Sequence, residues 1–241
     1  MFNKKEALHL LATILILSIV FSWNDKNPSF NITIWFTNFL TVLIMVSVAV
    51  LIHEVAHKVV AKRKDATSEY HILNITRIWF QEKLKKPLPV WSFLALFITF
   101  ASRGQLYFTA VGGNTIEPIQ HKRTGRKHMF LTGYEEALIL LSGPLANIGL
   151  IVLANLAGKA FGFNLEQFIT INIVLALWHL VPLPGFDGNG IYFGSRFLYL
   201  FGLAFIVGAF LLQWLSLVWS VPLSLLLASL ATLLYYWKDQ G

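Results

Sequence analysis

The sequence predicts an all-α polytopic membrane protein of about six transmembrane helices, with a small β-hairpin or re-entrant region on the cytoplasmic side. Three observations carry that prediction. Of the 241 residues, 56% are hydrophobic, 15% aromatic and only 13% charged, and the mean hydropathy is +0.64, a composition outside the range of ordinary soluble domains. The apolar residues fall in runs close to the ~20 residues that cross a hydrocarbon core. The 19 Lys and Arg residues, which against 12 Asp and Glu give a net charge of +7, sit between those runs, where they orient spans rather than bind nucleic acid.

The first span is expected at 7–23, preceded by Lys4 and Lys5. No A-x-A-like cleavage site follows it, so it reads as an uncleaved anchor. The second is expected at 33–60, where Thr37, Asn38, Thr41 and Ser47 are the polar side chains between Ile34 and Ile52. A third is expected at 136–156 and a fourth at 168–183. The stretch 191–237 is long enough for two more, turning between Gln213 and Pro222. With six spans and both termini cytoplasmic, only Lys26 and Lys159 of all the Lys and Arg lie outside. Segment 88–102 is short, is flanked by Pro87 and Pro89, and if it crossed would carry Lys122, Arg123, Arg126 and Lys127 outside. It is therefore read as re-entrant or interfacial. Residues 1–241 form a single integral membrane domain in this reading, expected in the cell membrane.

Two stretches are β-prone: Gln105 to Gly113, partly alternating, and Glu69 to Arg77. Each is a candidate edge strand able to hold an extended peptide, or a structural hairpin on the inner face. The basic run Lys122 to Lys127 reads as a loop facing anionic lipid. His71, His121 and His128 read as interfacial loop residues. The absence of Cys excludes disulfides and thiolate metal ligands.

The chemistry concentrates at His53-Glu54-Val55-Ala56-His57. Positions i and i+4 share a helix face, so both imidazoles can reach one metal ion. Glu54, beside them, can act as general base on a water. Ionisable side chains inside a membrane are rare unless they pair, bind or work. The motif lies near the inner end of the second span, so a third ligand should come from the inner third of another. Of the four Asp (Asp25, Asp65, Asp187 and Asp239), Asp187 lies at that depth, in Pro182-Leu183-Pro184-Gly185-Phe186-Asp187-Gly188. The prolines and glycines break the helix there, and irregular backbone at membrane depth must be buried in protein or line a watery cavity. Asp187 is thus a ligand candidate, with a loop-capping role in a Gly-rich turn as the alternative. Gly143 and Asn147 share a helix face, read chiefly as close packing against the second span.

Taken together, these residues resemble the site-2 protease family of intramembrane zinc metalloproteases, of the type without a PDZ domain. Ser142-Gly143-Pro144-Leu145-Ala146-Asn147 looks like the family's A-G-P-L-A-N signature, and Pro182 through Gly188 looks like its N-x-x-P-x-x-P-L-D-G signature. The resemblance covers about residues 33–190, the expected catalytic core, with 191–241 as two added helices. It implies one Zn²⁺ held by His53, His57 and Asp187, Glu54 as catalytic acid-base, and cleavage of a transmembrane protein substrate within the bilayer. Where the family usually has Asn eight residues before the ligand Asp, this chain has His179. His179 and Asn147 are the candidates for contact with substrate or oxyanion; His179 could instead pack against its helix or touch the metal. Two other classes fit less fully: a catalytically silent relative acting as a membrane chaperone or binding protein, and a metal transporter. His179 is the residue that points to the first, and simple metal transport does not need a Glu beside the ligands.

Overall fold

The computed structural model describes residues 2–24, 31–77, 83–125, 129–212 and 217–239. Lys26, Arg126, Lys127, His128, and Gln213 and Ser216 of the expected turn lie outside them. The protein is mostly helical, and the chain divides into two compact units, one of residues 1–50 and 69–115, the other of residues 51–68 and 116–241.

The first unit is built on α1 (Lys4–Ser22), the first part of α2 (Ile32–Arg63) and α3 (Val90–Ala101). Asn3 and Glu6 form a capping box that satisfies two amide donors at the start of α1. Leu10, Ile14, Leu17 and Phe21 recur at helical spacing and are buried, and α1 packs on α3. At 12 residues, α3 is about 18 Å long, well short of a hydrocarbon core.

The strands are β1 (Ala66–Ile72), β2 (Ile75–Arg77), β3 (Lys83–Leu88) and β4 (Gly112–Pro118). They make two two-stranded sheets, β1 with β4 and β2 with β3, the latter antiparallel. The 69–77 candidate is strand in two pieces, with a break at Leu73 and Asn74. The 105–113 candidate is corrected: only Gly112 and Gly113 belong to a strand, which runs on to Pro118. Phe108, Thr109, Ala110 and Val111 are all buried, and the Val111 amide turns back to the Thr109 carbonyl at 2.9 Å. A segment buried on every side and turned on itself cannot offer an alternating ladder.

The second unit is organised round α5 (Gly133–Phe161), which packs on α6 (Glu166–His179), α7 (Asp187–Gly194) and α8 (Arg196–Leu211), while α8 packs on α9 (Leu217–Asp239). A four-residue α4 (Gln120–Arg123) precedes α5. Thr132 and Glu135 form the N-terminal capping box of α5, and Gly162, at φ 72°, ends it in the left-handed conformation that glycine adopts without strain. The core is made by Ala137, Leu140, Leu141 and Ile148 of α5 with Ala176, Leu180, Ile191, Phe205 and Ile206.

Among the described residues, four helices are long and apolar enough to cross a membrane: α1, α2, α5 and α9. The span expected at 168–183 is the 14-residue α6, about 21 Å long. The first of the two expected in 191–237 is the 16-residue α8. The turn expected between Gln213 and Pro222 is also shorter, because α9 has begun by Leu217 and holds Pro222 inside it.

Candidate metal centre

The second unit gathers six polar side chains that the sequence had singled out. His53, Glu54 and His57 come from α2, Asn147 from α5, His179 from the last position of α6 and Asp187 from the first of α7. His53, Glu54, His57, Asn147 and Asp187 are each no more than 3% exposed. Such burial of ionisable groups demands partners.

The broken helix supplies two of the six. Pro182 and Pro184 cannot extend α6, and Gly185 takes φ 91°, so the chain reverses and starts α7 at Asp187. Gly188 lies against the Leu180 carbonyl, where a Cβ would overlap it. That close approach returns Asp187 to the end of α6. Asp187, the carboxylate of the broken helix, stands beside both histidines.

Each imidazole is held from behind. His57 Nδ1 is 2.8 Å from the Ile139 carbonyl, and a carbonyl only accepts, so Nδ1 carries the proton. His53 Nδ1 is 2.8 Å from Asn147 Oδ1 and donates likewise. Both Nε2 atoms then present lone pairs. They lie 3.0 Å apart, and Asp187 Oδ2 lies 3.2 Å from His53 Nε2 and 3.3 Å from His57 Nε2.

Three acceptors converging at that range repel one another unless a cation sits among them. A tetrahedral zinc with ligands at about 2.0–2.1 Å needs ligand atoms roughly 3.3 Å apart, close to the edges of this triangle. The donor set of two imidazoles and a carboxylate, each ring oriented through its other nitrogen, is one that suits zinc. Gly143 leaves room beside it: a Cβ there would overlap Nε2 of both His53 and His57. The expected packing of Gly143 on the second span is therefore against the two imidazoles themselves. The set His53, Glu54 and His57, and the set His53, His179 and Asp187, each bring candidate ligand atoms within 4.8 Å of one another.

His179 Nδ1 is 2.7 Å from Asp187 Oδ2, and its ring centroid is 4.3 Å from that of His53. Asn147 Nδ2 and Asp187 Oδ1 have no hydrogen-bond partner among the described residues. Two groups, one orienting His57 and one outside the site, left no mark in the sequence. The Ile139 carbonyl is backbone, which residue type does not report. Arg123 was grouped with a lipid-facing run but is 2% exposed. Its guanidinium reaches the carbonyls of Lys64, Met129 and Phe130 and the Glu135 carboxylate. That is a correction, and the reason is that five fixed donors meet four acceptors where α2 ends and α5 begins.

A protein of Methanocaldococcus jannaschii named "Putative zinc metalloprotease" is 27% identical over 200 residues, covering 78% of this chain and 83% of its own. No protein-family model matches the chain, and no solved structure matches it at a significant level.

Proposed function

We propose that this chain is an intramembrane zinc metalloprotease of the site-2 protease kind, cleaving transmembrane protein substrates within the bilayer. The observation that carries the proposal is the convergence of His53 Nε2, His57 Nε2 and Asp187 Oδ2 at 3.0–3.3 Å beside buried Glu54, with both histidines and Glu54 on α2, a helix long and apolar enough to span a membrane. The distant relative named as a zinc metalloprotease supports the same reaction class.

In this reading His53, His57 and Asp187 hold one Zn²⁺. When bound, the ion supplies Lewis acidity to a water and to the scissile carbonyl. Glu54 takes a proton from the attacking water and passes it to the leaving amine. Asn147 fixes the His53 ring through Oδ1 and keeps its Nδ2 donor for a substrate oxygen. Gly143 keeps the space beside both Nε2 atoms open for reacting groups. The segment from Pro182 to Gly185 bends the backbone at the site, where irregular chain can line a path for water. A Glu beside two ligands is needed for hydrolysis but not for metal transport or passive binding, which favours the protease over those readings.

The test is cleavage of a membrane-embedded substrate by full-length wild type and by Glu54→Gln, both reconstituted with zinc. Glu54→Gln should keep the metal and lose about 10²–10⁴-fold in rate. Equal cleavage by the two proteins, or a zinc-loaded wild type that cleaves no substrate tried, would sink the reading.

A further inference from the structure

We infer that His179 is a positioning residue for Asp187, donating Nδ1–H to the carboxylate and holding Oδ2 against the Nε2 atoms of His53 and His57. The inference rests on Asp187 being a metal ligand, as proposed above. It assigns His179 neither to the substrate nor to the metal.

Three imidazoles approach Asp187 Oδ2, at 2.7 Å from His179, 3.2 Å from His53 and 3.3 Å from His57. In the neutral form that binds a metal, two of them cannot donate to it. His53 and His57 already direct their Nδ1 protons at Asn147 Oδ1 and the Ile139 carbonyl, so their Nε2 atoms face Asp187 as acceptors. His179 is the one of the three whose Nδ1 proton is uncommitted elsewhere, and its contact is the shortest, in the range of a charge-assisted bond. The other oxygen of the carboxylate, Oδ1, has no hydrogen-bond partner among the described residues. Rotation of the carboxylate is therefore restrained through Oδ2.

The backbone explains why such a restraint is useful here. Asp187 opens α7, and a turn holding two prolines and Gly185 separates it from α6. His53 and His57 are one helical turn apart on a continuous helix, which fixes their spacing. Asp187 has no such built-in registration. The bond from His179, the last residue of α6, ties the two sides of the break together at the carboxylate. An Asn at this position can place an amide N–H where His179 places Nδ1–H, which makes it the conservative replacement.

The experiment titrates full-length, metal-free protein in detergent with Co²⁺ alone and with Zn²⁺ in competition with a chelator. Wild type, His179→Asn, His179→Leu and His179→Gln are compared. His179→Leu should weaken metal binding about 10–100-fold, the usual effect of removing an outer partner of a ligand. His179→Asn should stay within about threefold of wild type, with an unchanged Co²⁺ absorption band, since the ligand set is the same. His179→Gln, whose donor sits one carbon further out, should fall between them, and it takes the place of His179→Leu if that variant does not fold. Wild-type affinity in the Leu or Gln variant would overturn the inference. So would a His179→Asn protein that loses affinity and changes its Co²⁺ band, because His179 would then be a ligand. Failure of the protease reading is separate: it appears as cleavage that survives Glu54→Gln while the His179 series still ranks as expected.

Discussion

Asn147 Oδ1 lies 2.8 Å from His53 Nδ1, joining α5 to α2 across 94 residues of sequence. The bond fixes which nitrogen of His53 carries the proton and so which one is free to bind a cation. Asn147→Leu should therefore weaken Zn²⁺ binding about 10–100-fold. Asn147→Asp, which keeps an acceptor at the same place, should lose much less. Chelator competition on the purified protein measures both, and equal losses in the two variants would contradict the orienting role.

Gly143 offers a sharper steric test. Gly143→Ala puts a methyl group over Nε2 of both His53 and His57. It should abolish metal binding although alanine is the better helix former. Six residues along the same helix, a Cβ at Gly149 meets nothing within 4 Å. Gly149→Ala should leave metal binding intact and gain about 0.5–1 kcal/mol from lower backbone entropy in the unfolded chain. Calorimetric zinc titration of the pair decides the point, and retained binding in Gly143→Ala would show that the site lies elsewhere.

Much of this site was legible in the sequence because its signals are local. The i, i+4 spacing of His53 and His57 puts both rings on one helix face whatever the rest of the chain does, and the prolines and glycines from Pro182 to Gly188 mark a break from composition alone. The long helices were legible from hydropathy, which records what faces lipid. It does not record helix length where a chain breaks early, so α6 ends at His179 although the apolar run continues to Leu183. Strand placement failed over 108–111 because β-prone residues also serve as buried irregular packing, and only the pairing with β1 decides which segment is strand. Arg123 could not be told from its basic neighbours, since its burial depends on carbonyls of Lys64 and of Met129 and Phe130, two separate places in the chain.

Gly188 tests the geometry of the break itself. A Cβ at Gly188 would strike the Leu180 carbonyl, a rigid backbone group, whereas one at Gly190 would strike the end of the Leu140 side chain, which can move. Gly188→Ala should therefore push the start of α7, and Asp187 with it, away from the histidines. We expect a loss of Zn²⁺ affinity of about 100-fold or more, compared with roughly tenfold or less for Gly190→Ala. Similar affinities for the two variants would mean that Asp187 does not need the close approach of α7 to Leu180.

Arg123 makes a prediction about stability rather than chemistry. Its Nη1 is 2.6 Å from the Lys64 carbonyl and its Nη2 is 2.8 Å from Glu135 Oε2 and 3.1 Å from the Phe130 carbonyl. Glu135 in turn accepts from the Thr132 amide and hydroxyl in the capping box of α5. One guanidinium thus ties the chain just after α2 to the start of α5, the two helices that supply His53 and His57 and both groups hydrogen-bonded to their Nδ1 atoms. Arg123→Met leaves a carboxylate and three carbonyls without that donor, and should cost about 2–4 kcal/mol. Arg123→Lys should recover little, because a single ammonium cannot span the fork of acceptors. Lys122→Met, at an exposed neighbouring position, should stay within about 0.5 kcal/mol of wild type. Thermal unfolding in detergent, with and without Zn²⁺, measures all three. If Arg123→Met melted with Lys122→Met, the guanidinium would have no structural role, and the helix ends would have to be held together by the apolar contacts of Ala61, Ala66 and Ile139.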